Sequence, residues 1–129
     1  MIGFAMLGTN DIERARGFYD QLMPLLGAAL NAAWSDDVAL WYMTAPNAPM
    51  LALRRPRDGK SATVGNGSMV ALIAGSREAV GAVHAKVLAL GGADEGSPGN
   101  RSDEPDDLYR AYFRDLDGNK FMVFTMAPG

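Results

Sequence analysis

Cysteine is absent from this chain, and histidine occurs once, at His84. The first absence excludes disulfides, thiolate metal sites and cysteine nucleophiles together. The second excludes any site that needs two imidazoles from one chain. No apolar run approaches the ~20 residues that a membrane-spanning helix requires, so no membrane partner is expected. Nor does a basic segment precede the apolar start MIGFAML, so a secretory signal is not expected and a cytoplasmic location is. Cationic surface is also scarce: 12 Lys and Arg stand against 15 Asp and Glu, a net charge of -3. Binding a phosphate backbone needs a concentrated basic face, so nucleic acid is not an expected partner either.

What remains is a chain of 129 residues, 48% hydrophobic and 21% charged. That length and balance suit one compact domain with a substantial apolar interior. The run IGFAML, residues 2 to 7, ends at Gly8 and reads as a buried strand. A helix is predicted after it, with Asn10 as cap, Glu13 three residues on, and Ile12, Ala15, Phe18, Tyr19, Leu22 and Leu25 or Leu26 at helical spacing. Pro24 and Gly27 end it. Between 28 and 56, the runs AAW, VALWYMT and MLALRRP are separated by turn-forming residues and predict three short strands.

The segment 57 to 67, RDGKSATVGNG, is polar and glycine-rich and reads as a linker. The pattern then starts again. SMVALIAG, 68 to 75, predicts a strand and Ser76 a cap; Val80, Val83, Val87 and Leu90 form a helical stripe closed by Gly91 and Gly92. At an offset of 65, Phe4 meets Met69, Leu7 meets Leu72, Glu13 meets Glu78, Phe18 meets Val83, Leu22 meets Val87 and Gly27 meets Gly92. This internal repeat predicts two similar modules, 1–56 and 68–129, joined by the linker within one domain, 1–129. The second ends in LYRAYFRD and KFMVFTM around the turn signal Asp117-Gly118. Alternation places Phe121, Val123 and Thr125 on one face and Met122, Phe124 and Met126 on the other.

Three stretches, NDIERARGFYDQLMPLLG (10–27), SREAVGAVHAKVLALGG (76–92) and YRAYFRDLDGNKFMVF (109–124), together resemble the vicinal oxygen chelate superfamily of glyoxalases, bleomycin resistance proteins and extradiol dioxygenases. The resemblance implies an α+β fold: two tandem βαβββ modules forming an incomplete eight-stranded barrel with a concave cleft and helices outside. It also implies a small-molecule ligand in that cleft and a homodimer. In metal-using relatives the ligands stand on the first and last strands of each module. Those positions fall here on Phe4, Met69 and Met122, and near Met50 if PMLALRRP is aligned with FMVFTMAP. Leu116 also replaces the proline of the family's Asp-Pro-Asp-Gly-Asn turn.

A phenyl ring offers no lone pair, and a thioether is a soft, neutral, weak ligand for the cations such sites hold. No metal and no cofactor are therefore expected. Phe4, Met6, Trp41, Met50, Met69, Tyr112, Met122 and Phe124 are instead expected to line a pocket for an apolar or aromatic molecule, methionine being flexible and polarizable. Trp34 could add a stacking surface. His84, on the second helix, is expected to pack rather than react, and Asp115 and Asp117 to shape their turn. Arg54 and Arg55 are rim positions that could meet an anion, with ordinary solvation as the alternative. The acidic stretch 94–109 could border the site as a lid and favour a cation, or be a solvated loop.

No nucleophile triad or phosphate-cradling glycine loop occurs, and Gly65-Asn66-Gly67 signals only a turn. The leading expectation is a metal-free binding protein. The alternative is a glyoxalase-like lyase or isomerase, or a dioxygenase-related enzyme, with Tyr112 or Arg114 polarising an oxygen; no catalytic residue is assigned. A third is a structural or regulatory module whose cleft has collapsed.

Overall fold

The computed structural model describes residues 1–101, 103 and 107–129. The first half runs β1 (Phe4–Gly8), α1 (Ile12–Leu22), a 3-10 turn (Met23–Leu26), β2 (Ala29–Leu30), β3 (Ala39–Met43) and β4 (Met50–Arg54). The second runs β5 (Val70–Ile73), α2 (Arg77–Ala89), β6 (Ala93–Gly99), β7 (Tyr109–Arg114) and β8 (Lys120–Thr125). The strand orders are β1-β4-β3-β2 and β5-β8-β7-β6, so the two halves share one topology. Their first and last strands pair in parallel, and the remaining pairs are antiparallel. The expected α+β architecture of two tandem βαβββ modules, with sheets that do not close, is the one observed.

Each helix buries the stripe its spacing predicts. Ile12, Ala15, Phe18, Tyr19 and Leu22 of α1 join Val80, Val83 and Val87 of α2 in one core, with Leu40, Leu51, Leu53, Phe113, Phe121 and Val123 from the strands. The Phe113 and Phe121 rings stack at 5.2 Å, and Tyr19 reaches Phe121 from the other half at 6.3 Å.

Three predicted details are corrected. The cap of α1 is Asp11, whose carboxylate accepts from the Arg14 N–H at 3.0 Å. Asn10 bonds Ala62 instead, accepting its N–H and donating to its carbonyl, and so ties the connecting segment to the start of α1. Gly8 permits this approach, since a β-carbon there would lie 2.8 Å from that of Ala62. The second correction concerns AAW: Ala32–Trp34 form a turn on the Asn31 carbonyl, which accepts from Trp34 and Ser35, and the short strand lies earlier, at Ala29–Leu30.

The third correction is β6. Residues 93–99 form an edge strand paired with β7, not the start of a loop. Its register shifts between Asp94 and Gly96 and between Gly96 and Gly99, and an irregular edge tolerates Pro98 and the glycines that argue against a strand in the sequence. Residues 102 and 104–106 of the expected lid lie outside the described residues.

Candidate functional site

Alternation along the strands sorts their side chains. Ala5, Leu7, Leu51, Leu53, Val70, Leu72, Phe121 and Val123 face the helices. The other face carries Phe4 and Met6 on β1, Trp41 on β3, Met50, Ala52 and Arg54 on β4, Ala71 and Ile73 on β5, Tyr112 and Arg114 on β7, and Lys120, Met122 and Phe124 on β8. Met69 precedes β5. Phe4, Met6 and Met69 remain 49, 42 and 45% exposed. Such exposure is unusual for large apolar groups that alternate with a packed core.

The register brings the expected site residues into two equivalent rows. Trp41 pairs with Ala52 and Ala52 with Met6; in the second half, Tyr112 pairs with Met122 and Met122 with Ala71. This corrects one alignment. Ala5 pairs with Leu51, and its counterpart Val70 pairs with Phe121, so Leu51 corresponds to Phe121 and Ala52 to Met122. The fourth ligand position is therefore Ala52, two residues beyond Met50, whose counterpart is Lys120. The pairing decides this because the halves have acquired different lengths between helix and last strand.

The ligand-position set is thus phenylalanine, alanine and two methionines. It offers no charged or imidazole donor, and it does not fit a hard divalent cation. Among the described residues no group of three His, Asp or Glu is spaced to hold a metal ion.

Aromatic rings cluster on the first half of this face. The Phe4 and Trp41 rings meet at 4.9 Å and the Trp41 and Trp34 rings at 5.3 Å, both near perpendicular. Asn31 lies 4.0 Å from the Met50 sulfur. On the second half, cations approach the Tyr112 ring, Arg101 at 5.2 Å and Lys120 at 5.8 Å. Arg114 donates to the Glu95 carboxylate and, at 2.9 Å, to the Gly118 carbonyl. Two of its donors are thus bonded within the protein.

Several hollows border these residues. One of about 430 Å³ is lined by Phe4, Met6, Arg54, Arg55 and Arg57. Another of about 520 Å³ lies between the halves, against Ile2, Met50, Met69 and Ala71. Neither brings Phe4, Met69 and Met122 together.

The remaining polar groups are structural. His84 is buried on α2 and its Nε2 lies 2.9 Å from Asp94 of β6. The Asp115 carboxylate accepts from the Tyr19 hydroxyl, the Asn119 side chain and the N–H groups of Asp117 and Asn119. Burial raises its pKa above the usual carboxylate value even against these donors, and burial with the neighbouring Asp115 charge likewise raises that of the Tyr19 phenol. Asp117 meanwhile accepts from the Asn10 N–H and from Arg14, and Asn119 donates to the Gly8 carbonyl. The turn therefore fastens the second half to the β1–α1 junction of the first. The sequence announces the turn; its partner Tyr19, at an ordinary core position of a helix, carries no such signal.

A family profile described as the glyoxalase/bleomycin resistance protein/dioxygenase superfamily matches residues 1–123. Among solved structures, a glyoxalase/bleomycin resistance protein from Albidiferax ferrireducens T118 is 37% identical over 99% of both chains, with a TM-score of 0.86. A glyoxalase-related enzyme from Fulvimarina pelagi shares the fold at 18% identity and a TM-score of 0.73, over 97% of this chain and 87% of that one. A family enzyme from Burkholderia phytofirmans PsJN does so at 13% identity and 0.73, over 97 and 98%. A comparison with curated proteins finds no match.

Proposed function

Because this chain belongs to the glyoxalase/bleomycin resistance protein/dioxygenase superfamily, we propose that it binds a small apolar or aromatic molecule on the helix-free face without a metal ion. One observation carries the reading: the four ligand positions hold Phe4, Ala52, Met69 and Met122. Phe4 and Met69, which stay exposed, offer a ligand contact area and desolvation in place of coordination, while Ala52 and Met122 are buried and supply no donor. The Phe4–Trp41–Trp34 cluster supplies ring faces beside them.

Sequestration needs only shape and burial. For a lyase or isomerase the expected polarising groups are Tyr112 and Arg114; Arg114 is bonded to Glu95 and Gly118, and the Tyr112 ring lies against Arg101 and Lys120. Binding without turnover is therefore the reading the side chains favour. We also propose a homodimer in the cytoplasm, in which a second copy covers the 74% exposed Ile73 and leaves Phe4, Met6 and Met69 to the ligand.

The test combines metal analysis with a thermal-shift screen. Protein purified without chelators should retain no stoichiometric transition metal. Neutral aromatic compounds should raise its melting temperature, since a ligand that binds only the folded state stabilises it. One tightly held equivalent of metal, or no stabilising ligand among such compounds, would remove the proposal.

A further inference from the structure

Three hollows at the end of the helix-free face share lining residues in sequence. The first, about 430 Å³, has Phe4, Met6 and Gly8 with Arg54, Arg55 and Arg57. The second, about 260 Å³, shares Met6 and Gly8 and adds Met69 and Lys120. The third, about 430 Å³, shares Met69 and Lys120 and adds Arg114. Met6 stands between the first two and Met69 between the last two, so the groove they outline has thioethers along it and cations at both ends. Among the described residues no aspartate or glutamate lines any of the three, although acids outnumber bases in the chain, 15 to 12.

The cations differ in availability. Arg114 is bonded to Glu95, and Lys120 lies against Tyr112. Among the described residues Arg54, Arg55 and Arg57 form no ion pair. Asp36 feels the charge of Arg54, but its carboxylate is committed to the Val38 and Ala39 N–H groups. The Arg54 Nε donates to the Arg55 carbonyl at 3.3 Å, and the remaining N–H groups of the three guanidinium groups present donor forks beside an apolar floor with no carboxylate among them, the arrangement that recognises an oxyanion.

We propose that the groove takes an anionic amphiphile: an aromatic or aliphatic body on Phe4, Met6 and Met69, and a carboxylate or phosphate group at the Arg54–Arg57 end. This rests on the binding reading above and narrows its ligand class from apolar molecules at large to those bearing one oxyanion.

Isothermal titration with 2-naphthoate, 2-naphthyl phosphate and the neutral 2-naphthamide tests it, because the three share one ring system. At low salt at least one anion should bind about tenfold more tightly than the amide, the gain of two partly exposed ion pairs, and salt should reduce the preference. Whichever anion is preferred identifies the oxyanion. Arg54→Gln with Arg57→Gln should reduce the preference to about twofold or less, while Arg54→Lys with Arg57→Lys keeps most of it. Lys120→Gln should leave it largely intact. Equal binding of all three compounds overturns the inference and leaves the binding reading standing. Binding of none overturns both, and a preference lost in Lys120→Gln instead overturns the placement. Unchanged thermal midpoints of the variants show that folding is not the cause.

Discussion

The Tyr19 hydroxyl donates to the Asp115 carboxylate at 2.5 Å, joining residues 96 positions apart, one on the first helix and one at the final hairpin. Because both groups are buried, the bond acts as a fastening between the halves. Tyr19→Phe keeps the ring among Phe18, Tyr42 and Phe121 and removes only that donor. The expected loss is about 1.5–3 kcal/mol, the range for hydrogen bonds to charged groups. Asp115→Ala should cost more, since it strands the Tyr19, Asn119 and turn donors together. Urea unfolding of both variants measures the difference; a loss of less than about 0.5 kcal/mol in Tyr19→Phe would show that its hydroxyl contributes little.

Two aspartates should titrate on opposite sides of 3.8, the ordinary carboxylate value. Asp94 is held below it, first by its hydrogen bond with His84 and then by the Gly96 N–H. Its folded value lies under its unfolded one, so its stabilising contribution is full above 3.8 and is lost as pH falls through the folded value. Asp115 is raised by burial, so the cost of its charge applies fully above its folded value and is relieved as pH falls toward 3.8. Carbon-13 NMR of the side-chain carboxyls should find the Asp94 midpoint below 3.8 and the Asp115 midpoint above it. Asp94→Asn should destabilise the protein at neutral pH, with the deficit shrinking under acid conditions.

Glycines inside the helices and the one just after α2 should respond with opposite signs. A β-carbon on Gly92 would stand 2.4 Å from a Val87 methyl and 2.8 Å from the Arg114 carbonyl, which the sheet holds in place. Gly92→Ala is expected to cost about 1–3 kcal/mol. Gly81, inside α2, and Gly17, inside α1, have nothing within 4 Å of that position. Alanine at either should stabilise by about 0.5–1 kcal/mol. Thermal midpoints of the three variants check the sign of each.

The Phe4 ring against Trp41 should be visible optically. In a Trp34→Phe background, Phe4→Ala exposes Trp41 and should shift its emission to longer wavelength. Such an edge-on ring pair is worth about 0.5–1.5 kcal/mol beyond its buried area, so a modest loss of stability should accompany the shift. An unchanged spectrum would show that Trp41 is shielded by other groups.

Much of the fold is legible in the sequence because periodicity is a local property. The stripes of α1 and α2 recur at helical spacing, and the cap Ser76 lies 65 residues after Asp11, so the repeat itself carries the frame that Asn10 breaks. β6 is not legible: its acids, glycines and Pro98 are tolerated only because the strand lies at an edge and is bulged, a fact about its neighbours. Ala52 in place of Met50 is similar. Which residue stands opposite Met6 depends on strand pairing, and side-chain pattern in β4 alone fits more than one register.

By itself the sequence determined the chemistry: no thiols, one imidazole, and apolar side chains where a coordinating set would stand. It determined the repeat as well, because helix stripes and strand alternation are written residue by residue. Only the tertiary structure decided which distant groups meet. Tyr19 finds Asp115, Asn10 finds Ala62, and Arg54 and Arg57 come to border the same hollow as Phe4 and Met6. Those encounters follow from how the two sheets are placed around a shared core, and no local pattern in a chain records that placement.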